Sequence, residues 1–149
     1  MSDAAASLGA LRDRAAIQEL LAVYAQAVDR RDLRAVEACF TAEARYHGSL
    51  GEGGIRLVVE ALSERMSRYS STMHLLGSQT IAVDGDTARS EAYAIVYHRL
   101  RNESEHGDFV AGIRYVDLLV RRGDCWLIDE RQTTIEWQRY DPVTGEGPL

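Results

Sequence analysis

Lysine is absent from this chain: all 17 basic residues are arginine. No Schiff-base lysine, Walker lysine or lysine general base is therefore available. Positive charge is scarce as well, since 23 acidic residues leave a formal net charge of −6. That balance excludes sequence-independent nucleic-acid binding, which needs a basic surface. Only two cysteines occur, Cys39 and Cys125. Neither has metal-ligand spacing, and two do not make a secreted disulfide framework. They read as buried, reduced thiols of a cytoplasmic protein. No apolar run reaches the length of a membrane span. The first residues lack a basic segment ahead of an apolar one, so no signal peptide is expected. The two prolines, Pro142 and Pro148, both fall in the tail that begins at Tyr140, which is expected to be loosely held.

What is present suffices for one folded unit. The chain has 149 residues, 46% of them apolar, so a single domain over residues 1–149 can bury a core. Residues 8–28 carry apolar side chains at helical spacing, with Leu11, Ala15, Leu21, Tyr24 and Val28 on one face. Asp32 can cap a short second helix over 33–40. Residues 44–47 read as a short strand and the glycines at 48, 51, 53 and 54 as a loop. A third helix is expected over 55–69.

From Thr72 the period changes from 3.6 to two. Strands are expected over 73–83, 87–100, 108–120 and 126–138. Asp84-Gly85 and the segment around Gly123 supply the tight hairpin turns. Helices followed by a run of strands imply an α+β fold with helices on one face of a curved sheet.

Tyr24 and Asp29 close the first helix, and His74 opens the first long strand. A carboxylate able to hold a histidine, with a phenol nearby, is enough for proton transfer without metal or cofactor. Imidazole titrates near neutrality and can both take and return a proton. Asp29 would orient the ring and stabilise its cation. The competing reading of Asp29 is a helix-end carboxylate; that of Tyr24 is core packing. The four histidines do not form a metal-binding spacing, and no cofactor is expected.

The chain resembles the SnoaL-like branch of the nuclear-transport-factor/ketosteroid-isomerase superfamily. The resemblance rests on Tyr24 with Asp29 five residues on, on Thr72-Met-His74, on Val83-Asp-Gly-Asp-Thr87, and on Trp126 with Arg131 five residues on. It covers nearly the whole chain and is closest in pattern to bile-acid 7α-dehydratase and scytalone dehydratase, with hexachlorocyclohexane dehydrochlorinase also similar. It implies a cone-shaped α+β barrel with three N-terminal helices packed on a curved, mostly antiparallel sheet. It implies an Asp29–His74 pair, with Tyr24 and Tyr46 as matching phenols. Arg131 matches a last-strand arginine of the dehydrochlorinase and is a candidate substrate clamp, the competing reading being a salt bridge across the sheet. A lysine of the dehydrochlorinase is replaced by Tyr24, which weakens that activity here. A polar group on the next strand falls nearest His98 or Tyr97.

Met73, Phe109 and Tyr115 are expected among the residues lining an apolar pocket. His47 and His106 sit beside loops and are expected in solvent. Asp108, Asp117 and Glu91 are alternative acids of the ketosteroid-isomerase type.

The expected activity is a cofactor-independent lyase of the dehydratase type, acting on a small hydrophobic, cyclic hydroxy-carbonyl substrate. The alternatives are an isomerase or cyclase of a polyketide- or steroid-like substrate, and a ligand-binding or dimerisation module without turnover. A homodimer is expected, because Leu118 and Val120, or Leu119 and Trp137, cannot all point into one core. Neither a nucleic acid nor a membrane is expected as a partner.

Overall fold

The computed structural model describes residues 3–101 and 107–142. His106 and the tail after Pro142 lie outside them. Helix α1 (Asp3–Arg30) is followed by α2 (Leu33–Ala38), strands β1 (Phe40–Gly48) and β2 (Gly51–Gly54), and α3 (Ile55–Ser67). Four long strands complete the chain: β3 (Tyr69–Asp84), β4 (Thr87–Leu100), β5 (Asp108–Arg122) and β6 (Cys125–Asp141). They form one sheet in the order β2-β1-β6-β5-β4-β3. β1 runs parallel to β6, and every other neighbouring pair is antiparallel. β2 and β3 are the two edges, so the sheet stays open.

Each helix is placed by its apolar stripe. Ile17, Leu21, Tyr24 and Val28 recur every three or four residues on α1 and are buried, as a core-facing helix requires. Ile55, Val58, Leu62 and Met66 do the same for α3. α1 ends in two backbone bonds, Arg31 N to Val28 O at 3.1 Å and Asp32 N to Ala27 O at 2.9 Å. That is a Schellman closure, with Arg31 in the left-handed region at φ +58°. The Arg31 guanidinium then donates to Tyr69 O at 2.8 Å, fastening the end of α1 to the start of β3. Asp32 caps α2 as expected, its Oδ1 accepting from Ala35 N at 3.0 Å.

The structure corrects several expected boundaries. The glycine-rich segment after His47 is not all loop, because Gly51–Gly54 pairs antiparallel with β1. The segment from Tyr140 begins inside a strand, since Tyr140 and Asp141 pair with Phe109 and Asp108. Cys39 is buried, but Cys125 is exposed at the first position of β6.

The sheet has two faces of different character. On β4 burial alternates without interruption: Ala88, Ser90, Ala92, Ala94, Val96 and His98 point inward, while Tyr93, Ile95 and Tyr97 point outward. Small residues inside leave room for helices and a cavity; the bulky apolar ones cover the far face. β6 departs from this alternation. Its pairing with β5 slips between Leu118 and Leu119 and again between Gly112 and Ile113. Each bulge adds one residue and reverses which side chains face inward.

Candidate active site

A cavity of about 290 Å³ opens between the helices and the inner sheet face. α1 contributes Tyr24 and Val28, β1 and the turn after it Tyr46, Ser49 and Leu50, and α3 Leu62, Arg65 and Met66. β3 contributes Tyr69 and His74, and β4 His98. β5 supplies Phe109, Ala111, Ile113 and Tyr115, and β6 Thr133, Ile135 and Gln138. The wall is mostly apolar with a few converging polar groups, as in small-molecule sites.

His74 and Asp29 meet although 45 residues separate them in the chain. His74 Nδ1 lies 2.7 Å from Asp29 Oδ1. A carboxylate can only accept, so the proton sits on Nδ1 and leaves Nε2 free to act as a base. Asp29 is itself fixed by two more donors, the His74 backbone N at 2.9 Å and Thr72 Oγ1 at 2.9 Å. These donors offset the unfavourable placement of an acid in the last turn of a helix. Burial works to raise the Asp29 carboxyl, but the hydrogen bonds from His74 and Thr72 outweigh it and hold the group below its ordinary value.

His98 faces the same cavity, with its ring 5.9 Å from that of His74 and edge to face with it. It packs on Tyr69 at 4.6 Å and on Phe109 at 5.5 Å. Burial first, then the charges of His74 and Arg65, push its pKa down to about 4. The ring is therefore neutral at pH 7, and its Nδ1 is buried without a partner among the described residues.

Tyr24, Tyr46, Phe109 and Tyr115 line the cavity. Burial pushes the Tyr24 phenol up against the opposing pull of Arg131. It pushes Tyr115 well above the ordinary phenol range. Both stay protonated at neutral pH and able to donate.

Three expected substrate contacts lie elsewhere. Met73 and Tyr97 are paired across β3 and β4 and are 56% and 40% exposed on the outer face. Strand alternation explains this: with His74 and His98 turned inward, their chain neighbours must turn out. Leu57, Tyr93 and Trp137 are likewise exposed, and Phe40 and Ile128 belong to the solid core.

Arg131 points inward but does not line the cavity. It is 0% exposed and forms a bidentate pair with the equally buried Asp117, at 2.7 Å for both bonds. Its guanidinium lies 4.1 Å from the Tyr24 ring centroid and 4.5 Å from that of Tyr115. It is thus the cation under two wall phenols rather than a clamp on substrate. Burial disfavours its charge, but Asp117 outweighs burial and holds Arg131 charged.

The alternative acids are all engaged outside the cavity: Asp117 with Arg131, Asp108 with Arg99, and Glu91 with Arg89 and Arg114. Among the described residues no group of three or more His, Cys, Asp or Glu side chains could hold a metal ion. No described helix is long and apolar enough to cross a membrane.

The sequence reading missed Thr72, Arg65, Ser49, Tyr69, Thr133 and Gln138. Thr72 was within reach, being two residues from His74 and so on the same strand face. Gln138 was not, because only the β6 bulges turn it inward.

Comparison with known proteins agrees with this architecture. The SnoaL-like domain family matches residues 9–132. The uncharacterised protein Rv2910c of Mycobacterium tuberculosis is 30% identical over 136 residues, covering 89% of this chain and 92% of the relative. Among solved structures, the type-3 LinA hexachlorocyclohexane dehydrochlorinase of Novosphingobium barchaimii superimposes with a TM-score of 0.83 at 16% identity, over 96% of this chain and 99% of that one. A candidate scytalone dehydratase from Novosphingobium aromaticivorans superimposes with a TM-score of 0.79 at 16% identity, over 92% and 97%. At that identity the structural likeness shows the α+β cone fold.

Proposed function

The chain belongs to the SnoaL-like domain family, and from that premise we propose that it is a cofactor-independent lyase of the dehydratase type. The observation that carries this reading is the 2.7 Å contact between His74 and Asp29, made where the imidazole enters a largely apolar cavity. His74 Nε2 takes the acidic proton beside a substrate carbonyl. Asp29 stabilises the imidazolium that results. Tyr24 and Tyr46 donate to the oxygen on which enolate charge gathers, in a site whose low polarity strengthens each donor. The imidazolium then returns its proton to the β-hydroxyl as the C–O bond breaks. One carbon–carbon double bond forms, one water leaves, and His74 is neutral again.

The neighbours' names support elimination over rearrangement, since dehydrochlorination and dehydration both expel a leaving group. An isomerase or cyclase would use the same dyad, and product mass separates the two: elimination loses one water, rearrangement loses nothing. The substrate is a small hydrophobic, cyclic hydroxy-carbonyl compound. The two free thiols support a reducing, cytoplasmic setting. The exposed apolar face of the sheet supports a homodimer.

The test is turnover of cyclic hydroxy-ketones followed by mass spectrometry. His74→Ala and Asp29→Ala are each expected to lower kcat by about 10²–10⁴-fold, the usual cost of losing a general base or its support, with the fold intact by circular dichroism. Undiminished turnover in His74→Ala would overturn the mechanism.

A further inference from the structure

Arg65 carries the charge that the dyad mechanism leaves unused. It projects from α3 into the cavity wall and is tied to the turn after β1. Its Nη1 donates to Ser49 Oγ at 3.1 Å and its Nη2 to Ser49 O. A guanidinium has five N–H donors, so three remain. Among the described residues none of them meets a carboxylate. The contrast with Arg131 is direct, because that charge is neutralised by Asp117 in a bidentate pair.

A half-buried cation bonded only to neutral oxygens has given up hydration without gaining a counter-charge. Its field already reaches the interior, where it helps hold His98 neutral. The opposite charge near the cavity is Asp29, which stands behind His74 on another wall. An anionic ligand is therefore drawn to the α3 wall and repelled from the dyad.

We propose that Arg65 receives a carboxylate of the substrate, which narrows the substrate class from hydroxy-carbonyl compounds to those that also bear a carboxylate. The orientation rests on the dyad reading: carboxylate at Arg65, acidic C–H at His74. The affinity for the carboxylate does not. A guanidinium fork matches the two carboxylate oxygens, and one positive charge balances one negative charge. Ser49, Tyr69 and Gln138 line the same cavity and can satisfy further lone pairs. The cavity volume of about 290 Å³ sits at the small end of ligand sites and suits a compound of one or two rings.

The experiment compares 2-naphthoate with its neutral isostere 2-naphthamide by calorimetric titration. Wild type is expected to bind the naphthoate about tenfold more tightly, the usual scale for one charge-assisted bond. The preference should vanish in Arg65→Gln, persist largely in Arg65→Lys, and shrink as salt is raised. Should Arg65→Gln not fold, Arg65→Met retains the aliphatic stem and serves the same comparison. Equal affinity of wild type for the two probes, or a preference undiminished in the neutral variant, overturns the assignment. His74→Ala, run in parallel, should lose turnover and keep the naphthoate preference, so failure of the dyad and failure of the anion site are read separately.

Discussion

His74 and His98 share one cavity wall, yet only His74 has a carboxylate against its ring. The same side chain is thereby given two roles. Beside Asp29, the imidazolium that the proposed proton transfer forms would be stabilised as it appears. Without such a partner, His98 stays neutral and offers one donor and one acceptor. The difference has a consequence for stability. An unfolded chain protonates His98 with the ordinary pKa of 6.5, whereas the folded protein holds it near 4. The unfolded state therefore binds the extra proton between those values, and stability falls as pH drops through that window. The contribution is complete above pH 6.5, declines down to about pH 4, and amounts to about 3 kcal/mol at 1.36 kcal/mol per pH unit. Thermal midpoints measured from pH 7 to pH 4 should fall less steeply in His98→Gln than in wild type. Parallel curves would show that this ring does not titrate between the two states.

The elements that present these residues depend on small interruptions. β4 alternates strictly, so its inner face is predictable from one residue onward. β6 does not: Ile128 and Arg131 both face inward although three residues apart, as do Ile135 and Gln138. A bulge between the members of each pair accounts for it. The turn that carries Ser49 toward Arg65 depends on Gly48. A Cβ there would lie 2.6 Å from the Thr133 carbonyl oxygen and 3.0 Å from Tyr46 Oη. Backbone cannot yield as a flexible side chain can, so Gly48→Ala should cost about 1–3 kcal/mol. Denaturant titration would show this as a lower midpoint with an unchanged slope. An unaltered midpoint would mean the turn has room that the geometry denies it.

For the molecule as a whole, the feature left to explain is the outer face of the sheet. Met73, Leu75, Tyr93, Ile95, Tyr97 and Trp137 are all exposed there, on β3, β4 and, one strand beyond, β6. The Trp137 indole lies across Gly112, close enough that a Cβ at that glycine would meet its Nε1 at 2.3 Å, so only a residue without a side chain leaves room for the ring there. Apolar patches of this extent mark association surfaces, and a two-fold pairing lets one face satisfy itself. We expect a homodimer, with light scattering at micromolar concentration giving twice the mass of one chain. Ile95→Asp, in the middle of the patch and pointing away from the cavity, should yield monomers. A monomeric wild type would contradict the pairing. Leu118 and Trp137 are exposed and Leu119 is buried; strand alternation turns the neighbours Leu118 and Leu119 to opposite faces, and the β6 bulge opposite Gly112 turns Trp137 outward.

Local pattern in the sequence determined a good deal. Helical spacing and the change to a period of two marked three helices and four long strands, because burial imposes those periods on any chain that hides one face. The β4 boundaries and the Asp32 cap agree with the structure to the residue. The Asp29–His74 pair was legible through family resemblance, since nothing in the spacing of two residues so far apart requires them to touch. Which side chains meet across strands belonged to the tertiary structure alone. A bulge changes the inward face without altering composition, and so decided the placing of Arg131, Gln138 and Trp137. The same holds for charge: Arg131 and Arg65 look alike in the sequence, but Asp117 reaches only the first. Strand register set that contact, and with it which arginine is left without a carboxylate partner among the described residues.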